Sequence, residues 1–343
     1  MFEGLRKPME LIVIVMTLLS YGCPVQAIVQ AFGLDERTVA SWRDRAGSHC
    51  EQVHQALIES GKLDLVQVQA DEIRVKGRKM LAWMGLAMMV STRLWLAGTV
   101  RVSRDKGLAD ALLHQVRRCA GQLRPLLVLT DGWAAYPGSI RQAFREKIKE
   151  TVGMGRACLR VWPDLHRGTV IKRTQKKRMV EITRKMTHGR LEQAEQLLQF
   201  SSGGSVLNTA FIERLNATFC ERLASLTRKS RHAAARLHTL HTGMYLIGCT
   251  YNFCLAHQEL SKAKHWGAAC TPAMASGLTD HIWSLGELLR YKVAPSPWVE
   301  PKRRGRPPKQ AGPPAPSPKR QSCPSGSRPL LRLRKGVLCS TTS

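Results

Sequence analysis

Apolar residues follow a helical period at the start of the chain and a strand period after residue 63. Met9 to Ser20 has the apolar density of a buried helix, with Pro8 at its start and Gly22 after its end. Pro24 opens a second helix, with Val25, Ile28, Val29 and Phe32 on its inner face. Gly33-Leu34-Asp35 is a tight turn. Asp35 caps a third helix, Glu36 to Arg45, which Gly47 stops. A further helix, Cys50 to Glu59, links to the next domain. From Leu63 the period is two. Leu65 to Asp71 alternates like a half-buried strand, and Met80 to Val90 and Leu94 to Val102 complete an antiparallel meander. Leu108 to Cys119 is an amphipathic helix, Leu126 to Asp131 a short apolar strand, and residues 139–150 another helix. Thr169 to Met186 forms a basic hairpin and Arg190 to Phe200 a helix, followed by a flexible break at Ser201-Ser202-Gly203-Gly204. Phe211, Leu215, Phe219, Leu223 and Leu226 mark a helical stripe from Thr209 to Leu226, and Ala233 to Asn252 is one more helix.

These patterns divide the chain into a helical domain at 8–48, a linker helix at 49–62, a mixed core at 63–260 and a helical extension at 261–294. Residues 151–205 of the core read as a basic insertion. Eleven of the 17 prolines lie between Pro295 and Pro329, and no acid follows Pro301, so 295–343 reads as a disordered basic tail.

Charge narrows the partners. The chain carries 53 Lys and Arg against 25 Asp and Glu, a formal net charge of +28, which calls for a polyanion, either nucleic acid or an anionic membrane surface. There is no apolar run of ~18–20 residues, so no transmembrane span is expected. Arg6 and Lys7 before Leu11 to Leu19 imitate a secretory signal, but Glu10 interrupts the flank and the helical pattern continues. The ten Cys contain no CxxC pair, which disfavours a zinc ribbon and fits free thiols in a reducing cytoplasm.

Two constellations carry chemistry. In Ile28 to Trp42, Ile28, Val29 and Phe32 pack one helix, Gly33 permits a sharp turn, and Leu34, Val39 and Trp42 lock the next helix across it. Glu36, Arg37, Ser41, Arg43 and Arg45 remain outside, able to reach bases and phosphates as the recognition face of a helix-turn-helix, against the plainer reading of a charged helical hairpin. The second constellation is three acids. Asp71 follows a strand, Asp131 ends a later strand and Glu213 lies on a later helix. A ribonuclease-H-like core brings that order together at one edge: a meander, a helix, a fourth strand beside the first, and a late helix. All-oxygen carboxylate ligands suit Mg²⁺ or Mn²⁺, and two such ions activate the attacking oxygen and stabilise the leaving one in phosphodiester chemistry. Glu72 competes with Asp71, because neighbouring strand residues point to opposite faces.

The segments Gln69 to Glu72, Leu129 to Tyr136 and Asn208 to Thr218, with the continuation Glu221 to Lys229, resemble DDE transposases of bacterial insertion sequences, of the insertion-sequence-one type. The resemblance runs from about residue 8 to about residue 309. It implies an α+β chain with an N-terminal helix-turn-helix domain, a ribonuclease-H-like α/β catalytic core, a basic insertion and a disordered basic tail. It also implies that Asp71, Asp131 and Glu213 are the catalytic residues and hold the divalent metals. The expected activity is hydrolysis at the element's DNA ends and direct attack of the 3′-hydroxyls on target DNA. The partners are double-stranded DNA and further copies of the chain, with no membrane, in a bacterial cytoplasm. Two departures stand out. The interval from Asp131 to Glu213 is long for the family, and no Cys-rich zinc motif precedes the first helix, which leaves room for an upstream-encoded partner protein. The alternative from another class is a helix-turn-helix regulator or an inactive transposase-derived DNA-binding protein, which would need none of the three acids.

Around these motifs, Asn216 is placed to orient a ligand carboxylate and Arg214 to hold a phosphate. Trp133 and Tyr136 either stack on an unpaired base or form a wall of the site. Lys172, Arg173, Lys176, Lys177 and Arg178 read as a phosphate-binding hairpin tip, and Arg228 and Lys229 with Arg231 as a track for the DNA backbone. His166 and His188 match no metal spacing and read as polar surface. Arg304-Gly305-Arg306 resembles an AT-hook, whose glycine lets the backbone lie deep in a narrow minor groove with Arg304 and Arg306 along its floor.

Overall fold

Three helices open the chain in the computed structural model, which describes residues 2, 4–77, 80–121, 125–148, 157–176, 178–226, 236–264 and 268–294. α1 (Met9–Ser20) follows the extended Pro8 and buries Ile12, Val15 and Met16. α2 (Val25–Phe32) ends at Gly33, whose φ of 57° is left-handed, a conformation open to glycine at little steric cost. Asp35 then accepts the backbone N–H groups of Arg37 and Thr38 at 2.8 and 3.3 Å, satisfying donors at the start of α3 (Glu36–Leu57). Ile28, Leu34, Val39 and Trp42 are buried where the helices meet. The expected stop at Gly47 does not occur: α3 runs without a break through most of the segment read as a separate helix. A β-carbon on Gly47 would lie 2.3 Å from the carbonyl oxygen of Thr242. The glycine is there for close approach between two helices, and inside a packed helix that function outweighs its low helical propensity.

The sheet follows. β1 (Gln67–Lys76), β2 (Leu81–Met89) and β3 (Leu94–Arg101) form the antiparallel meander expected from the period-two pattern. α4 (Lys106–Cys119) is capped by Asp105, which accepts the Leu108 N–H at 3.0 Å. It crosses back so that β4 (Leu126–Thr130) pairs parallel to β1. Every residue of β4 is buried, as a central strand covered on both faces requires: Leu127 and Leu129 face one apolar cluster, Val128 another.

The helix expected at 139–150 is different. α5 (Ala135–Ala143) starts earlier and stops before Phe144, whose side chain is fully buried edge-on against Trp162 at 5.1 Å. The Phe144 carbonyl accepts the Trp162 N–H at 3.0 Å. That anchorage turns the chain into β5 (Arg145–Ile148), which pairs antiparallel with β6 (Cys158–Val161). The basic hairpin is present as β7 (Leu165–Gln175) and β8 (Arg178–His188). It is not appended outside the sheet: β7 pairs parallel with β4, giving a six-stranded mixed sheet in the order β3-β2-β1-β4-β7-β8.

α6 (Leu191–Phe200) covers Leu127 and Leu129 with Ala194 and Leu198. The break at 201–204 contains Ser201, which is buried and donates to the side-chain oxygen of Gln67. α7 (Ala210–Arg222) buries Ile212, Leu215 and Phe219. α8 (Leu237–Cys249) crosses α3 at Gly47. It continues as a π-helical turn, Thr250–Cys254, where the Asn252 amide bonds to both the N–H and the carbonyl of Trp95 at 2.9 Å. α9 (Gln258–Lys264), α10 (Pro272–Ala275) and α11 (Leu285–Arg290) complete the described chain. The fold is thus mixed α+β, and residues 1–295 cluster as one compact unit. The tail at 296–343 lies outside the described residues. Among the described residues no helix is long and apolar enough to cross a membrane.

Candidate metal centre

The sheet register decides which acids meet. β1 and β4 run parallel and their ladder ends at the pair Ala70 and Thr130. The next residues along each strand are Asp71 and Asp131, so both carboxylates emerge at the same edge. Carboxylate oxygens of Asp71, Glu72 and Asp131 lie within 4.8 Å of one another. A cleft of about 500 Å³ is lined by Asp71 and Asp131 with Arg104, Trp133, Lys172 and Glu213.

Each acid is held differently. Asp71 Oδ1 accepts the Glu72 N–H at 2.8 Å, and Oδ2 accepts from the Asn216 side-chain amide at 2.9 Å. Burial pushes the Asp71 carboxyl up to about 7, and the negative charges of Glu72, Asp131 and Glu213 push the same way. The Glu72 side chain is only 2% exposed and pairs with the Arg104 guanidinium. It also accepts the Tyr136 hydroxyl at 2.9 Å. Burial, then the Asp131 charge, raises its carboxyl above the usual range, while Tyr136 and Arg104 pull it down. Asp131 Oδ1 accepts the Trp133 N–H at 3.0 Å, and Oδ2 lies 3.3 Å from Arg104. Glu213 accepts the Thr209 hydroxyl at 2.6 Å and is ion-paired with Lys172.

α7 brings Glu213 to this edge because Gln69 clamps it. Gln69 donates to the Asn208 carbonyl at 2.8 Å and accepts the Ile212 N–H at 3.0 Å. Gln69 and Asp71 share one face of β1, so the strand that carries the carboxylate also sets the helix opposite it.

A divalent cation fits this donor set. Three oxygen ligands converge, and the Asp71 carboxyl, raised to about 7 chiefly by burial and further by the neighbouring acids, would be stabilised in its charged form by a cation. Asp71, Glu72 and Asp131 could hold such an ion.

Asp71 and Glu72, expected as competitors on opposite faces of the strand, both belong to the cluster. Asp71 and Glu72 both stay paired with β2, opposite Leu86 and Gly85, and so keep opposite faces of β1. Here β4 ends, and Asp131, just beyond its last pair, is reached from both sides. Arg104 was missed altogether. It bridges Glu72 and Asp131, and its guanidinium lies 4.6 Å from the Trp133 ring centre. No sequence spacing marks it, because it lies in the short segment between β3 and α4 and arrives there only through the sheet.

The other candidates separate. Asn216 does orient Asp71. Tyr136 is buried against Glu72 and unavailable for base stacking, while Trp133 packs edge-on to it at 5.2 Å. Arg37, Ser41 and Arg45 are exposed and recur every four residues along α3, on one face. Arg43 is not on that face; it is half-buried and bound to Asp44 at 2.9 Å. Lys172 is in the cleft beside Glu213 and not at the hairpin tip. Arg173 lies 3.4 Å from Glu181, and Lys176 sits exposed at the turn with φ of 48°. Lys177, Arg228, Lys229, Arg231, Arg304 and Arg306 lie outside the described residues. His166 is buried rather than on the surface, accepting the Arg190 N–H at 3.3 Å.

Compared with models of known protein families the chain matches none, and a comparison with curated proteins found no match either, so the function must be read from this geometry.

Proposed function

We propose that this protein is a DDE-type transposase with a ribonuclease-H-like core, which cleaves DNA ends and joins them to target DNA. The observation that carries the reading is the convergence of Asp71 and Asp131 just beyond the last pair of the parallel β1–β4 ladder, in a cleft that Glu213 also lines. A meander, a crossover helix, a parallel fourth strand and a late helix bearing an acid are what that chemistry needs to assemble three carboxylates. The helical pair α2 and α3, with its exposed Arg37, Ser41 and Arg45, supports a helix-turn-helix that binds element ends.

Asp71, Asp131 and Glu213, with Glu72 beside them, would hold Mg²⁺ or Mn²⁺, which supplies activation of an attacking oxygen and stabilisation of a leaving one. The chain's own groups do the positioning. Asn216 fixes the rotation of the Asp71 carboxylate, the Trp133 N–H that of Asp131, and Gln69 the placement of α7. Arg104 and Lys172 put positive charge at the cleft, where a scissile phosphate would sit. A Ser or Tyr nucleophile is not required.

The test is strand transfer with purified protein, labelled DNA from the boundaries of the encoding element, a plasmid target and Mg²⁺ or Mn²⁺. The parent is expected to give joined product and Asp131→Asn none. Equal product from both would sink the assignment.

A further inference from the structure

α7 presents two faces of different chemistry. At ~100° per residue, Thr209, Glu213 and Asn216 fall on one side, while Phe211, Arg214, Leu215, Thr218 and Arg222 fall roughly 180° away. The second set lines a separate cavity of about 260 Å³, closed by Arg93, Tyr251 and the segment from Leu255 to Glu259. Three arginines therefore meet around one small space, with Glu259 the sole carboxylate in its lining among the described residues.

The arginines are built in to different degrees. Arg93 is half-buried, stacks on the Phe211 ring at 3.9 Å and donates to the carbonyls of Val90 and Ser202. Its own turn is left-handed, with φ of 60°. Arg222 lies over the Tyr21 ring at 4.4 Å, and its Nη1 is buried with no hydrogen-bond partner. The Nδ1 of His257, in the same lining, is buried and unpartnered as well. Arg214 makes no ion pair among the described residues and is exposed at the mouth. A buried donor without a partner is costly, and guanidinium groups held close repel. A ligand rich in acceptor oxygens and negative charge would relieve both.

We propose that this cavity is a phosphate-binding site, taking a phosphomonoester or phosphodiester group on the side of α7 opposite the carboxylate cleft. Tetrahedral phosphate offers enough acceptor oxygens for several guanidiniums at once, which a single carboxylate does not. Phe211, Leu215 and Tyr251 supply an apolar wall against which the group's carbon-bearing part packs. The phosphate has two sources, a nucleic-acid strand or a small phosphorylated molecule. The site does not rest on the transposase reading, since it uses none of the acids of the cleft.

The experiment uses the full chain, with pyrophosphate and inorganic phosphate as probes, chloride at equal ionic strength as control, and thermal shift with calorimetry as readouts. The parent is expected to bind pyrophosphate and to melt higher in its presence. Arg214→Gln with Arg222→Gln is expected to lose affinity on the order of tenfold or more. Arg214→Gln alone, at an exposed position, serves if the double variant does not fold, and Arg214→Lys should restore part of the binding. Asp131→Asn should bind pyrophosphate like the parent, so loss of catalysis and loss of this site are read separately. Labelled duplex and single-stranded DNA then identify the source. Weaker DNA binding by the arginine variant, with competition by pyrophosphate, assigns a strand; unchanged DNA binding with lost pyrophosphate binding assigns a small molecule. No pyrophosphate effect on the parent, or the same effect on parent and variant, overturns the proposal.

Discussion

At the scale of single residues, two titrating groups, the half-buried Asp71 and the fully buried His54, act on stability in opposite directions. Asp71 has its carboxyl raised to about 7, chiefly by burial. In the folded chain it keeps its proton between pH ~4 and ~7, where the unfolded chain has lost it, so its contribution to stability is lost as pH rises through that window. Asp71→Asn removes the effect. We expect the variant to be more stable than the parent at pH 8 without metal, by about 1–3 kcal/mol, within the ~4 kcal/mol limit of a three-unit shift. Mg²⁺ or Mn²⁺ should raise the melting temperature of the parent and leave the variant unmoved; an equal rise in both would count against the carboxylate cluster as the cation site. His54 is fully buried, lies 3.0 Å from the Leu96 carbonyl oxygen, and has its imidazole lowered to about 4, chiefly by burial. It stays neutral when folded, so its contribution is present above pH ~6.5 and lost as pH falls towards ~4. Because Glu72 is also raised and opposes the trend, the test is a difference: the denaturation midpoint of the parent minus that of His54→Gln should climb from pH 4 to 6.5. A flat difference would refute the assignment to His54.

At the scale of elements, the site depends on how α7 and α3 are seated. Gln69 is buried and satisfies the Ile212 N–H, while its amide holds the Asn208 carbonyl. Gln69→Leu takes the partner from the buried Ile212 N–H and from the half-buried Asn208 carbonyl and should cost about 1–3 kcal/mol. It should also weaken cation binding, because Glu213 and Asn216 ride on the helix that loosens. Denaturant unfolding and a metal titration check the two effects; a stability loss with unchanged metal affinity would show that α7 is held by its apolar face alone. Gly47→Ala sets a methyl 2.3 Å from the Thr242 carbonyl oxygen, so α3 and α8 must separate. Overpacking of that kind costs about 1–3 kcal/mol, although alanine is the better helix former. A more stable variant would contradict the close crossing.

At the scale of the whole molecule, the proposed DNA binding by a chain of net charge +28 would draw most of its affinity from phosphate contacts. Binding should fall steeply with salt, and a shallow slope would contradict that view. The stripe Arg37, Ser41 and Arg45 faces outwards together, whereas Arg43 is engaged by Asp44. Replacing Arg37 or Arg45 by Ala should lower affinity and reduce the salt slope by roughly one unit each, as expected for a lost phosphate contact. Arg43→Ala should change affinity much less. Filter-binding at several salt concentrations tests all three, and the reverse ranking would place the DNA on another face of α3.

Much of the architecture is written in local periodicity. The meander, the buried strand Leu126 to Thr130, the basic hairpin and the cap at Asp35 are visible in the sequence because each depends on neighbours two to four positions away. Asp131 is visible for the same reason, as the residue after a recognisable strand; Asp71, expected at a strand end, lies inside β1, which runs on to Lys76 because β2 pairs with it there. What periodicity does not contain is which elements become neighbours. Gly47 reads as a stop, and only its crossing with Thr242 turns it into a contact inside one long helix. Glu72 joins the acids because β4 ends before reaching it, at the pair Ala70 and Thr130, Arg104 because β3 delivers it to that edge, and Lys172 because β7 is a strand of the central sheet. Helix and strand period are set by hydrogen bonds and side chains close along the chain. The electrostatics of the cleft are set by charges tens of residues apart, whose meeting is decided by sheet order and helix packing.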